Sequence, residues 1–402
     1  MTRTISFIHL DLGIGGAENL VINAAKGLQK KGNRVTMYTS HHDRTRAFKE
    51  TVDGTLKVVL YGAWIPRQIL GHFTILLSTI RMIYICIMML INQQLADVVF
   101  TDQVSAINPI IRLFGLAKTR LIFYCHYPDV LLCTSRESWF KRAYRLPFDY
   151  LEEYTTSACD VLLVNSEFTA ETLRSTFPQI KQKVHVLYPP IDTDSIKPYK
   201  NDLPAEIEKK KFFLSLNRFE RKKDLGLVIE AYADFVKAAT KKSAAATSTV
   251  LVIAGGYDPR VIENVEYFSQ LENLAKSRDI KVVFIKNVSD HQRLALLDRA
   301  IGVIYSPQGE HFGIVPCEAM AAGTPVIAWN NGGPKESIVH NQTGYLCNKR
   351  EEFSKAMSKI ASSSPEEIVA MSLRCKKRVI EKFSLKAFTD RLAVFAVKGD
   401  GQ

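Results

Sequence analysis

Short apolar runs recur along this chain at 5–10, 34–39, 95–101, 120–125, 161–164 and 184–188, and again at 212–216, 249–254, 282–285, 301–305, 325–329 and 344–347. Longer amphipathic or apolar stretches, among them 19–31, 73–91, 139–158 and 364–398, lie between or after them. Strands that alternate with helices have few ways to pair: each crossover places a helix on a sheet face, and the strands end up parallel. The predicted class is therefore α/β with parallel sheets. The double proline Pro189-Pro190 falls between the two sets of strands and is the natural linker. It divides the chain into domains 1–190 and 191–375, followed by a terminal segment 376–402. A length of 402 residues suits two such domains, each with its own core.

The chain carries a formal charge of +12, which favours an anionic partner. Nucleic acid is the weakest candidate, because no nucleic-acid-binding motif and no basic block with interleaved aromatics is present. Lipid and diphosphate remain. The seven cysteines (86, 125, 133, 159, 317, 347 and 375) are scattered without a Cys-x-x-Cys, which points to a reducing compartment and away from disulfides or structural zinc. The amino terminus reads directly as a strand, with no secretory signal. Residues 73–91 are apolar apart from Arg81 and would just span a bilayer. An arginine near the centre is costly in hydrocarbon, so a helix lying on or dipping into a membrane, a buried packing helix and a true span all stay open.

Residues 309–323 are the chemical centre of the sequence. A strand ending near Tyr305 leads to a loop holding Glu310 and His311, then to a helix stopped by Gly323. Open parallel sheets bind ligands at the carboxyl ends of their strands, where Glu310 falls. Were Glu310 and Glu318 on one helix they would stand about 12 Å apart at 1.5 Å per residue, too far for the carboxyl pair of a retaining glycosidase, about 5 Å. Different tasks fit better: Glu310 toward a reacting group, Glu318 deeper on another part of the ligand. The helix start at Phe312-Gly313 offers free amides and a positive dipole end to a diphosphate. Asn217-Arg218-Phe219-Glu220-Arg221-Lys222-Lys223 places cations at another strand end. Gly13-Ile14-Gly15-Gly16 nearly mimics a dinucleotide fingerprint but lacks the third glycine, so a dehydrogenase is disfavoured. His126, after the strand 120–125, is placed for ligand contact. No Asp-x-Asp or His/Asp cluster stands where a metal would be held.

Glu310, seven residues, Glu318, with Phe312-Gly313 between them and a Gly-Thr-Pro-Val-Ile strand after, resembles the signature of glycosyltransferase family 4, retaining enzymes of GT-B architecture. The resemblance implies two Rossmann-like domains facing each other across a cleft, an acceptor-binding first domain, a nucleotide-sugar-binding second domain, and a terminal helix braced on the first. It further implies that Glu310 and His311 contact the donor sugar, that Glu318 holds the ribose, and that the amides of Phe312, Gly313, Ile314 and Val315 face the diphosphate. Arg218 and Lys223 match the family's Arg-x-x-x-x-Lys element and would neutralise the leaving diphosphate. Gly15 and Gly16 would close over the donor phosphates. His126 would meet the donor sugar or the acceptor hydroxyl, with Asp102, Gln103 and Tyr127 on the acceptor. No cofactor and no metal is expected.

Gly15-Gly16-Ala17-Glu18, Thr101-Asp102-Gln103-Val104-Ser105 and Tyr124-Cys125-His126-Tyr127-Pro128-Asp129 are most similar to the family branch that elongates dolichol-diphosphate-linked oligosaccharide. That branch implies a GDP-mannose donor, a dolichol-diphosphate-linked oligosaccharide acceptor, and α1,3 and α1,6 linkages made by one protein. It also implies a place on the cytosolic face of the endoplasmic reticulum membrane, in contact with the membrane surface and with other enzymes of the pathway. Two rivals remain: a family 4 enzyme with another sugar nucleotide or acceptor, and a catalytically silent scaffold that binds sugar nucleotide.

Overall fold

The computed structural model describes residues 2–69, 72–94, 96–114, 119–132, 139–193, 203–240 and 249–397. Cys133 and most of the Ala/Lys/Ser/Thr-rich stretch before the strand at 249 lie outside them. In chain order the first elements are β1 (Thr4–Ile8), α1 (Gly16–Lys30), β2 (Arg34–Thr39), β3 (Lys57–Leu60), α2 (Thr74–Ile91), β4 (Val98–Asp102) and α3 (Asn108–Phe114). Then come β5 (Arg120–Cys125), α4 (Asp129–Leu132), α5 (Trp139–Ser157), β6 (Val161–Val164), α6 (Glu167–Thr176) and β7 (Val184–Val186). The second set comprises β8 (Lys211–Leu216), α7 (Leu225–Thr240), β9 (Thr249–Gly255), α8 (Ile262–Ser277), β10 (Val282–Lys286), α9 (Asp290–Arg299), β11 (Gly302–Tyr305), α10 (Ile314–Ala322) and β12 (Val326–Trp329). It closes with α11 (Pro334–Ser337), β13 (Gly344–Cys347), α12 (Glu351–Ser362), α13 (Pro365–Lys382) and α14 (Leu385–Val397).

Two compact units result, one of Met1–Pro190 with Leu385–Gln402, the other of Ile191–Ser384. The first holds a seven-stranded sheet in the order β3-β2-β1-β4-β5-β6-β7, the second a six-stranded sheet in the order β10-β9-β8-β11-β12-β13. Every pairing in both is parallel. Both orders reverse direction once, between β1 and β4 and between β8 and β11, which is the dinucleotide-fold pattern with its crevice at the reversal. The strand β3 gives no clear signal in the sequence, because a short edge strand of partly exposed residues lacks a buried apolar run.

Parallel strands covered on both faces read as continuous apolar runs because successive side chains enter opposite layers. In the first unit, Ile5, Phe7, Val98, Phe100, Ile122 and Tyr124 join the core beneath α1 and α14, while Ile8, Val99, Leu121, Phe123 and Cys125 join the opposite core. Phe388, Leu392 and Ala396, four residues apart on α14, complete the first of these cores. Lys31 pairs with Asp390 at 2.6 Å, and Arg3 and Arg120 donate to the carbonyls of Ala396 and Phe395 at the end of the same helix.

The apolar stretch forms the helix α2. It is the one helix among the described residues long and apolar enough to cross a membrane by length and composition, yet it packs on the first sheet. Leu77, Met82, Ile85, Cys86 and Met89 are buried, whereas Leu76, Ile80, Ile87 and Ile91 form an exposed apolar stripe. Arg81, only 2% exposed, faces inward and pairs with Asp11 in the loop after β1. A hydropathy window sees apolar residues on both faces and cannot tell that one of them is core. Because Arg81 is desolvated against a single carboxylate, Arg81→Ala should cost about 3 kcal/mol of stability, whereas Arg81→Met, which keeps most of the volume, should cost less. Urea unfolding checks this; equal midpoints for the parent and the alanine variant would contradict the pairing.

Candidate functional site

In the second unit, the chain leaves β8 through Asn217, Arg218 and a single helical turn at Arg221–Lys223, and leaves β11 through the loop that carries Glu310. These are the two strands on either side of the reversal. A cavity of about 360 Å³ opens there, lined among others by Arg218, Lys223, Arg293, Glu310, Gly313, Ile314, Val315 and Glu318. Residues from four stretches far apart in sequence, 216–223, 255–256, 288–293 and 305–318, meet around one space.

The Lys223 ammonium is mostly buried and contacts Glu310 Oε1 directly, while the Ser306 hydroxyl donates to the Lys223 carbonyl at 2.6 Å. Arg218 is mostly exposed and pairs with Glu220 at 2.9 Å. The helix α10 starts at Gly313, whose φ of 76° is left-handed and whose Cβ position lies 3.2 Å from the Tyr305 ring, so only glycine enters this turn without strain. Its first amides have no helical partner and open onto the cavity. His311 and Phe312 stand outside the lining; the Phe312 ring packs on Phe383 with centroids 5.8 Å apart.

Glu318 lies one helical turn deeper. Burial pushes its carboxyl up, against the pull of Arg293, whose Nη1 donates to Oε1 at 2.5 Å. Arg293, on α9, carries no signal in one dimension, since a basic residue on an amphipathic helix reads as solvated surface. The loop that bears Glu310 is held from behind by Asn331-Gly332-Gly333. Asn331 accepts from the Gly309 amide at 3.1 Å, and the Gly333 amide donates to the Glu310 carbonyl at 2.9 Å. A Cβ on Gly333 would stand 2.1 Å from the Phe312 carbonyl oxygen, so the backbones meet too closely for any side chain. At the exit of β10, Val288 reaches the cavity, whereas Lys286 is held 3.5 Å over the Phe268 ring and 4.0 Å over that of Tyr257.

The first unit carries a second cluster at the ends of β1, β4 and β5. Asp102 is the last residue of β4, fully buried, with Oδ1 2.7 Å from His9 Nδ1 and Oδ2 2.9 Å from His126 Nε2. It stands behind His126, with both oxygens engaged, rather than facing the acceptor as the family resemblance implies. His126 is 27% exposed, its ring 4.9 Å from that of Tyr124, and Asn165 donates to its carbonyl at 2.9 Å. The adjoining turn is fixed by Glu152 of α5, which accepts from the amides of Asp129 and Val130 at 2.6 and 2.9 Å. Burial pushes the Glu152 carboxyl up to about 7, against those two amides and Arg145. Gln103 is exposed in a left-handed turn, Tyr127 is half-buried, and Gly15 and Gly16 sit at the start of α1, the Gly15 Cβ position being 2.3 Å from Glu18 Oε2. Neither the missed His9 nor Glu152 belongs to a local pattern; each is brought in by strand order. Among the described residues no set of three or more His, Cys, Asp or Glu side chains could hold a metal.

Family models match both parts of the chain: residues 14–195 fit "Glycosyltransferase Family 4" and residues 200–378 fit "Glycosyl transferases group 1". The chain is 42% identical to the alpha-1,3/1,6-mannosyltransferase ALG2 of Dictyostelium discoideum, over 98% of each chain. It is 42% identical to that of Homo sapiens, over 98% of this chain and 96% of the relative, and 40% identical to that of Saccharomyces cerevisiae, over 84% and 71%. Among solved structures it is similar to sucrose-phosphate synthase from Thermosynechococcus elongatus, with a TM-score of 0.74 at 19% identity and 97% of each chain covered. It is also similar to the catalytic domain of starch synthase IV from Arabidopsis thaliana, with a TM-score of 0.73 at 15% identity over 98% of this chain and 99% of that one. With the GT-B fold of those structures and full-length relatives at about 40% identity, the chain belongs to glycosyltransferase family 4, among its alpha-1,3/1,6-mannosyltransferases.

Proposed function

We propose that the chain transfers mannose, with retention, from GDP-mannose to a mannosyl-chitobiosyl-diphosphate-dolichol acceptor, and that it makes both the α1,3 and the α1,6 linkage on the cytosolic face of the endoplasmic reticulum membrane. The observation that carries this reading is the cavity where Arg218, Lys223, Glu310 and the open end of α10 converge. The names of the full-length relatives supply the sugar and the linkages.

In this reading the diphosphate lies against the α10 amides, with the Arg218 fork on two oxygens and Lys223 as a point charge. Glu318, paired with Arg293, accepts the ribose hydroxyls, and Glu310 orients the mannose. The bond from C1 to the β-phosphate oxygen breaks as the acceptor oxygen bonds to C1 on the same face. The acceptor proton passes to the departing phosphate, and GDP leaves. Charge grows on the diphosphate in the transition state, so the two cations contribute most there. His126 meets a second hydroxyl of the acceptor sugar, with Tyr127 and Gln103 beside it. The outer stripe of α2, the exposed Trp139, Leu146, Tyr150, Leu151 and Tyr154 of α5, and the net charge of +12 suit a surface that rests on lipid. The two helices adjoin at Phe73 and Tyr144, whose ring centroids are 5.7 Å apart.

Three outcomes are expected. Lys223→Met should lower kcat by about 100-fold or more with thermal unfolding little changed; near-normal turnover would remove the diphosphate assignment. Arg293→Leu should raise the KM for GDP-mannose about 10-fold, the loss expected for one charge-assisted contact. Because burial already raises the Glu318 carboxyl, the KM penalty should shrink as pH rises and Glu318 ionises, and a pH-independent penalty would count against this role. Finally, a panel of labelled sugar nucleotides with EDTA present should give transfer from GDP-mannose alone; transfer from another donor, or a requirement for metal, would overturn the proposal.

A further inference from the structure

His9, Asp102 and His126 stand at the carboxyl ends of three neighbouring strands, β1, β4 and β5, and form a buried line that ends at the partly exposed His126 ring. An ionised carboxylate only accepts hydrogen bonds. With Oδ1 on His9 Nδ1 and Oδ2 on His126 Nε2, both of those nitrogens must therefore carry protons. Two consequences follow from the geometry. Neutral His126 then has its lone pair on Nδ1, on the side of the ring away from Asp102. The remaining nitrogen of His9, Nε2, is buried without a hydrogen-bond partner and faces Glu18 Oε1 at 4.0 Å. A bare lone pair there would oppose a carboxylate in a dry site, whereas an N–H would be attracted to it.

We propose that His9 is a positioning residue: as an imidazolium held between Asp102 and Glu18, it balances the Asp102 charge, so that Asp102 fixes the orientation and tautomer of His126 while leaving that ring a neutral acceptor for a hydroxyl of the acceptor sugar other than the attacking one. The proposal rests on the reading of His126 as a ligand contact and adds what makes it competent. Burial by itself would lower the His9 pKa, but the charge and hydrogen bond of Asp102, together with Glu18, outweigh it and raise it to about 10. The titratable groups around the network are Asp102 from β4, His9 following β1, Glu18 from α1 and Tyr124 from β5, and burial holds the Tyr124 phenol neutral. Without the His9 cation, the Asp102 carboxylate would be buried with no full charge to balance it. Without the Asp102 carboxylate, His126 would lose the acceptor that holds its Nε2 proton and fixes its ring.

The test is histidine-selective 15N NMR of the full chain, with His126 and His9 assigned from the spectra of His126→Gln and His9→Gln, titrated between about pH 5 and pH 9. In the parent protein, neutral His126 should carry its proton on Nε2, and His9 should be doubly protonated throughout. In Asp102→Asn the neutral His126 ring should show both tautomers in place of the Nε2–H form alone, and kcat/KM should fall about 10-fold in that variant and in His9→Gln. A parent His126 protonated on Nδ1, a neutral His9, or an Asp102→Asn protein in which His126 keeps its proton on Nε2 alone would overturn the proposal. The parent spectrum decides the first two points even if a variant fails to fold. Equal transfer by His126→Gln and the parent at all pH values would instead remove the ligand contact, a failure the kinetics show separately from the spectra.

Discussion

An all-parallel sheet cannot be built by hairpins, and the crossovers it requires fix where chemistry can occur. In both units the strand order runs outward from a central strand, then reverses, so the loops after β1 and β4, and those after β8 and β11, part to opposite faces. The space left between them is the one place where backbone amides, helix starts and side chains converge without filling it. The Glu310 loop, Lys223 and Arg218 lie at one reversal, and the Gly13–Gly16 loop, His9 and Asp102 at the other.

Each unit meets the cost of burying charge in its own way. In the second, Lys223 and Glu310 are joined, and Arg293 meets Glu318, so each partly buried carboxylate has a cation beside it. In the first, among the described residues, Asp102 meets two histidines in place of a lysine or arginine. Arg81 and Asp11 make a third such joint, linking an otherwise apolar helix to the glycine loop that follows β1. The helix that carries the exposed stripe is thereby joined, on its buried side, to that loop by an ion pair.

Much of this was legible in one dimension because spacing encodes it. Glu310, Glu318 and Gly323 are separated by a loop and a helix whose lengths are visible as periodicity, and Arg218 and Lys223 share a single strand exit. The apolar runs show that both faces of each sheet are covered. What the sequence conceals is whatever depends on strand order. Arg293 reaches Glu318 because α9 packs beside α10, and His9 reaches Asp102 only because β4, distant in sequence, lies next to β1. The position of Asp102 shows the same limit: the family resemblance places it on the acceptor, yet the strand runs one residue past Thr101 and carries it into the core. For α2, hydropathy records two apolar faces but not that Arg81 points to the sheet.

The central claim is that one donor cavity, with cations in place of a metal, makes two α-mannosyl linkages. It is tested most directly by the product formed from GDP-mannose and a synthetic lipid-diphosphate-chitobiose-mannose acceptor, analysed for mass, anomeric configuration and linkage. The account requires growth by two mannoses, both α, one at O3 and one at O6 of the acceptor mannose. Growth by a single sugar, a β anomer, or hydrolysis of GDP-mannose without transfer to the lipid would contradict it.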